Sequence, residues 1–194
     1  MFLFCEAGSK IIKPVKYERE LFKLSDGGTI GIDWAIDHEG GLPKKHSQRP
    51  IICMMSGLSG GNDNLYLVSL IKEAMTLGYK CVVINYRGTS GVKLTSQKIY
   101  WMNRWQDIKE PIDYISQKYC NGDEYLKRSF YGYGASLGGG LLTNYLIYEG
   151  KNSVLDGAIT YGQPFNLEDN VSFFRKNCLK FFDFGMGLIY SLVL

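Results

Sequence analysis

An α/β domain with a mostly parallel sheet, led by an antiparallel hairpin, is the fold class this sequence predicts, and three observations predict it. From Pro50 onward, short apolar runs rich in β-branched residues alternate with longer segments of helical periodicity, the signature of βαβ units. Before Pro50, two alternating stretches flank Asp26-Gly27-Gly28, which signals a hairpin. A tight glycine-rich turn, Gly134-Ala135-Ser136-Leu137-Gly138, joins a strand-like run to a helical one.

The elements follow in order. Residues 17–24 and 29–36 alternate like strands across the Asp26-Gly27-Gly28 turn, and sheets of mixed direction commonly carry such a pair at one edge. Residues 51–55 form a buried strand, ended by Ser56-Gly57-Leu58-Ser59-Gly60-Gly61. Residues 62–77 place Leu65, Val68, Leu70, Ile71, Ala74 and Met75 at helical spacing, and Gly78 closes that helix. Residues 81–86 form the next strand, stopped by Arg87-Gly88. Residues 99–119 carry Trp101, Trp105, Ile108, Ile112 and Ile115 on one helical stripe, in which Pro111 marks either a kink or a helix start. Residues 129–133 run as a strand into the Ser136 turn, 137–148 as a helix, and 154–161 as a last strand broken by Gly162-Gln163-Pro164.

Composition narrows the function. With 194 residues, 45% apolar and 21% charged, the chain can bury one sizeable core. Net charge is +3 with both signs interspersed, and the densest basic spot, Lys44-Lys45-His46, reads as a solvated loop, so no nucleic-acid partner is expected. Five widely spaced cysteines (Cys5, Cys53, Cys81, Cys120, Cys178) read as core thiols, and without a CxxC or His/Cys cluster no metal is expected. The apolar N-terminus, Met1-Phe2-Leu3-Phe4, is too short for a signal segment, and 184–194 is shorter than the ~20 residues of a membrane span. These features predict no transmembrane segment and an intracellular location, cytoplasmic or at the periphery of a membrane.

The chemistry centres on Ser136. In a G-x-S-x-G turn between strand and helix, small neighbours leave room for a strained backbone path that holds the serine hydroxyl out at the end of the sheet. The following amide, that of Leu137, lies at a helix N-terminus, where unpaired N–H groups and the dipole favour a developing oxyanion. The bare pattern also suits close helix packing; the buried strand before it, the amphipathic helix after it and two βα units upstream favour the nucleophile reading. The loop Ser56–Gly61 stands where a second oxyanion donor would come from, with the Leu58 amide as the candidate. It reads equally as an ordinary glycine-rich turn or a phosphate cradle, although it lacks the P-loop lysine and the G-x-G-x-x-G spacing.

Four matches then make a resemblance: Asp26-Gly27-Gly28 with Asp33-Trp34, Gly57-Leu58-Ser59-Gly60-Gly61, Asn85-Tyr86-Arg87-Gly88, and Ser136-Leu137-Gly138-Gly139. On them the chain resembles the YheT-like branch of the α/β-hydrolases, which includes plant embryogenesis-associated proteins and animal abhydrolase-domain lipases. The resemblance runs from about residue 17 to the end. It implies an α/β-hydrolase fold without its last strands and most of its cap, divided into a hairpin region (1–49), a βαβ core with the nucleophile elbow (50–164) and the start of a cap (165–194). It implies a serine hydrolase of carboxylic esters, lipid esters such as acylglycerols or phospholipids among them. Ser136 would be the nucleophile and the Leu58 and Leu137 amides the oxyanion hole. The implied partners are a small-molecule or lipid ester and a membrane surface met peripherally; no cofactor is implied.

Two departures stand out. Where the family has His-Gly in the oxyanion loop, this chain has Ser56-Gly57. The family's triad order is serine, acid, histidine, yet no histidine follows Ser136. His38 and His46 precede the first parallel strand, on a segment with no reason to reach the strand ends near Ser136, and Asp156, Asp169 and Asp183 read as loop or helix-surface carboxylates. The acid and the histidine of a triad are thus not identified within these residues. The alternative to an esterase is a non-catalytic hydrolase-like binding protein or an inactive fragment, in which the sheet would end on an unpaired strand at Ala158-Ile159.

Overall fold

The computed structural model describes residues 13–121, 126–163 and 165–166. The chain divides into two compact units, Met1–Gln163 and Pro164–Leu194, and every element below belongs to the first. Cys5, Cys178, Asp169, Asp183 and the apolar run 184–194 lie outside the described residues.

The elements run β1 (Tyr17–Lys23), β2 (Thr29–Ala35), β3 (Ile51–Met55), α1 (Leu65–Thr76), β4 (Lys80–Asn85), α2 (Gln106–Ile115), β5 (Phe130–Ala135), α3 (Leu137–Glu149) and β6 (Gly157–Tyr161). They form one sheet in the order β1-β2-β4-β3-β5-β6. β1 pairs antiparallel with β2 and β2 antiparallel with β4, while β4, β3, β5 and β6 are mutually parallel. The sheet is therefore mixed, mostly parallel and led by the hairpin, as the sequence predicts.

The hairpin forms because Gly27 adopts φ +84° and the Asp26 carboxylate accepts from the Gly28 amide at 3.0 Å, a turn that a side chain at position 27 would strain. The period of two then sorts the core. In β4, Val82 and Ile84 face the larger cluster with Ile32, Trp34, Ile108, Ile112 and Leu141, whereas Cys81 and Val83 face the smaller one with Leu67 and Ile71. Helices thus cover both faces, with α1 residues in one cluster and those of α2 and α3 in the other, which is why β4 reads as an unbroken apolar run. Cys53, Cys81 and Cys120 are buried free thiols, and burial pushes that of Cys81 up to about 12.

The predicted helix over 99–119 is shorter than its stripe. Residues 101–105 form turns, Trp101 is 53% exposed, and the helix starts at Gln106. Tertiary contacts prevail there: Tyr100 stacks on Tyr86 with centroids 5.1 Å apart, and Met102 fills the space above Gly140, where a Cβ would meet its Cγ at 2.8 Å. Pro111 lies inside α2 and neither starts nor ends it. Beyond Ile115 the backbone widens into a π-type turn over Ser116–Cys120, closed by the Asn121 amide on the Ser116 carbonyl at 2.9 Å.

Among the described residues β6 pairs with β5 alone, and Ile159 and Tyr161 are about two-thirds exposed. No helix among them is long and apolar enough to cross a membrane, and no group of three or more His, Cys, Asp or Glu side chains could hold a metal ion.

Candidate active site

β3 and β5 are parallel neighbours with Met55 opposite Gly134, so the loops that leave them emerge side by side at one end of the sheet. Residues 80 apart in sequence meet there.

Ser136 caps α3 with φ 51° and ψ −115°, a backbone conformation that costs an L-residue on the order of 1–3 kcal/mol. Two hydrogen bonds hold it, from its amide to the Tyr161 carbonyl at 2.8 Å and from the Gly140 amide to its carbonyl at 3.0 Å. Glycines make the turn possible. A Cβ on Gly134 would overlap the Gly138 carbonyl, and one on Gly138 would stand 2.5 and 2.6 Å from the carbonyl oxygens of Met55 and Ser56. With that space open, the Gly138 amide donates to the Ser56 carbonyl at 3.1 Å.

The loop after β3 lies directly against the serine: a Cβ on Gly57 would be 3.3 Å from Ser136 Cβ and 3.7 Å from its Oγ. Tyrosine hydroxyls pin this loop. Tyr86 donates to the Ser56 carbonyl at 2.7 Å, Tyr66 accepts from the Gly57 amide at 2.8 Å, and Tyr100 accepts from the Ser59 amide at 3.2 Å. Further along, the Asn62 side chain and that of Asn85 donate to the buried Asp33 carboxylate at 2.5 and 2.7 Å, and Arg19 closes on the same carboxylate at 2.6 and 2.7 Å.

This pattern leaves a vacancy of two donors. The amides on either side of Leu58, those of Gly57 and Ser59, are engaged by tyrosines, and those on either side of Leu137, of Ser136 and Gly138, by carbonyls. The Leu58 and Leu137 amides donate to no group among the described residues. Leu137 opens α3, so its N–H has no intrahelical partner. The Leu137 side chain lies in the larger core cluster and that of Leu58 packs against it.

Arg87 anchors the surroundings from a position only 2% exposed. It donates to Asp107 at 2.6 and 2.8 Å and to Asp26 at 2.9 and 3.0 Å, tying the hairpin turn and the start of α2 to the end of β4. These bonds hold the Asp26 carboxyl well below the usual carboxylate range and raise the Arg87 guanidinium further. Gly28 has no side chain because Arg87 occupies the place of its Cβ.

His38 and His46 are exposed in the connection between β2 and β3. β2 runs antiparallel to β4 with Trp34 opposite Val82 and Gly31 opposite Asn85, so that connection begins at the N-terminal end of the parallel strands. Arg49 and Lys80 fix it there through the carbonyls of Gly78, Tyr79, Ala35 and Gly40. Ser136 follows the opposite end of β5. Asp156 accepts from the Phe130 amide at 2.8 Å, bracing β6 against the start of β5. Sequence reasoning gave Tyr66, Tyr86 and Tyr100 no role, although Tyr86 stood in one of the matched motifs, since a tyrosine in a helix, strand end or loop carries no signal of its own.

No family model matches the chain. It is 33% identical over 153 residues to the phospholipase ABHD3 of Mus musculus, across 79% of this chain and 36% of that protein. It is 29% identical over 159 residues to the embryogenesis-associated protein EMB8 of Picea glauca, across 79% of this chain and 33% of that one. Among solved structures, the esterase Pf2001 of Pyrococcus furiosus superposes with a TM-score of 0.58 at 13% identity, over 79% of this chain and 54% of that one, a likeness of fold. The chain thus spans about a third of the length of these curated relatives.

Proposed function

On the premise that this chain belongs to the α/β-hydrolases, in the branch of the embryogenesis-associated and abhydrolase-domain proteins, we propose that it is a serine-dependent carboxylic ester hydrolase with Ser136 as nucleophile. The observation that carries this reading is the strained Ser136 backbone at the head of α3, set beside the Leu58 and Leu137 amides, which have no acceptor among the described residues. A backbone held at such a cost is explained by the position it gives the hydroxyl.

In this reading Ser136 Oγ attacks the ester carbonyl, and the carbonyl oxygen, as it gains charge, receives hydrogen bonds from the Leu58 and Leu137 amides. Both amides are fixed before substrate arrives, so little reorganisation opposes the step. The serine proton goes to a base. Neither histidine is placed to take it, and Asp156 is committed to the Phe130 amide. His46→Ala is therefore expected to leave the rate unchanged. The relatives' names support lipid esters, acylglycerols or phospholipids, as the substrate class.

A fluorophosphonate probe on a native extract, with the tagged residue and species read by mass spectrometry, tests the reading. Ser136 tagged in a species larger than 22.0 kDa supports a hydrolase whose base comes from sequence beyond these residues; tagging at 22.0 kDa supports one with another base. Protein present but untagged overturns the hydrolase and leaves a binding protein built on the same fold.

A further inference from the structure

We infer that the Tyr66 phenol is a third donor to the oxyanion at Ser136, beside the Leu58 and Leu137 amides, an assignment that rests on the esterase reading above. Tyr66 is the second residue of α1, half-buried, and its oxygen is fixed by the Gly57 amide at 2.8 Å. The position a Cβ would take on Gly57 lies 3.7 Å from Tyr66 Oη and 3.7 Å from Ser136 Oγ. Phenol and nucleophile therefore border one small volume, left open because residue 57 has no side chain.

A phenol that accepts a hydrogen bond still has its own proton to give. Tyr66 donates it to no group among the described residues, while Tyr86, which pins the same loop from the end of β4, spends its proton on the Ser56 carbonyl. The difference assigns them different tasks. Tyr86 fixes the loop, whereas Tyr66 both fixes it and keeps a donor facing the volume beside Ser136. Burial pushes the Tyr66 phenol above its ordinary value, so it remains a protonated donor at neutral pH. No bond to Tyr66 forms or breaks: as Oγ bonds to the carbonyl carbon, the carbonyl π pair moves to oxygen, and the phenol hydrogen-bonds to that oxygen without transferring its proton.

Tyr66→Phe keeps the ring and removes the hydroxyl. The assay compares binding of an aryl trifluoromethyl ketone, which adds to the serine as a tetrahedral oxyanion, with binding of the matching methyl ketone, which does not, in the wild type, Tyr66→Phe and Ser136→Ala proteins. A hydrogen bond to a charged acceptor predicts an adduct about tenfold or more weaker in Tyr66→Phe, with methyl ketone affinity as in the wild type. An adduct equally strong in both proteins overturns the assignment alone, as does equal weakening of both ketones, which marks Tyr66 as a loop prop. A wild type, in the form in which it occurs in the native extract, that forms no Ser136-dependent adduct overturns the assignment together with the esterase reading.

Discussion

The Gly138 amide donates to the Ser56 carbonyl at 3.1 Å, joining the first turn of α3 to the end of β3 across 82 positions of sequence. One bond thereby sets the spacing between the serine turn and the loop that faces it. The same Ser56 carbonyl accepts from the Tyr86 hydroxyl, so both of its lone pairs are used and its direction is fixed.

Gly138→Ala should break this junction. Its Cβ would meet two carbonyl oxygens of backbone that cannot retreat, since Met55 ends β3 and the Ser56 carbonyl is held by Tyr86. Overpacking of this kind costs about 1–3 kcal/mol, and chemical denaturation should show a loss in that range together with loss of probe labelling at Ser136.

Ser136 offers a test of stored strain. Glycine tolerates positive φ and alanine does not, so Ser136→Gly should be more stable than Ser136→Ala by about 1 kcal/mol, although both remove the hydroxyl. Equal stabilities in denaturant titrations would show that the turn is unstrained.

The buried Arg87 predicts a larger effect. Asp107→Asn removes one of the two carboxylates that compensate a guanidinium 2% exposed, and breaking a buried pair in this way costs about 3 kcal/mol. Arg87→Met, which leaves both the Asp107 and the Asp26 carboxylates without their guanidinium, should cost more than Asp107→Asn, which keeps the pair with Asp26; the two midpoints compared by thermal unfolding give the answer.

Acid should erase the contribution of Asp26. Arg87 holds its carboxyl below the range of the unfolded chain, so the folded state favours the ionised form. That stabilisation is complete above the unfolded value, near pH 4, and is lost as pH falls through the lower folded value. The stability gap between wild type and Asp26→Asn should therefore be level from neutrality to about pH 5 and shrink on further acidification.

Local patterns made much of the fold legible. The hairpin was visible because Asp26-Gly27-Gly28 meets a requirement for positive φ within three residues, and β3 because an apolar run ends abruptly in glycine. The same signals failed for 99–105, where helical spacing was outweighed by the Tyr100 and Met102 contacts with Tyr86 and Gly140. Arg87 showed its place in a motif but not its task, because its partners Asp26 and Asp107 lie 61 and 20 positions away.

The sequence by itself determined the succession of strands and helices along the chain and put a serine between β5 and α3, because periods of 2 and 3.6 and the demands of glycine act over a few residues. Only the tertiary structure decided which amides beside that serine have no acceptor among the described residues, and that His38 and His46 belong to the other end of the sheet. Those outcomes depend on hydrogen bonds from Tyr66, Tyr86 and Tyr100, and on the antiparallel course of β2. Such contacts join residues distant along the chain, and no local pattern records them.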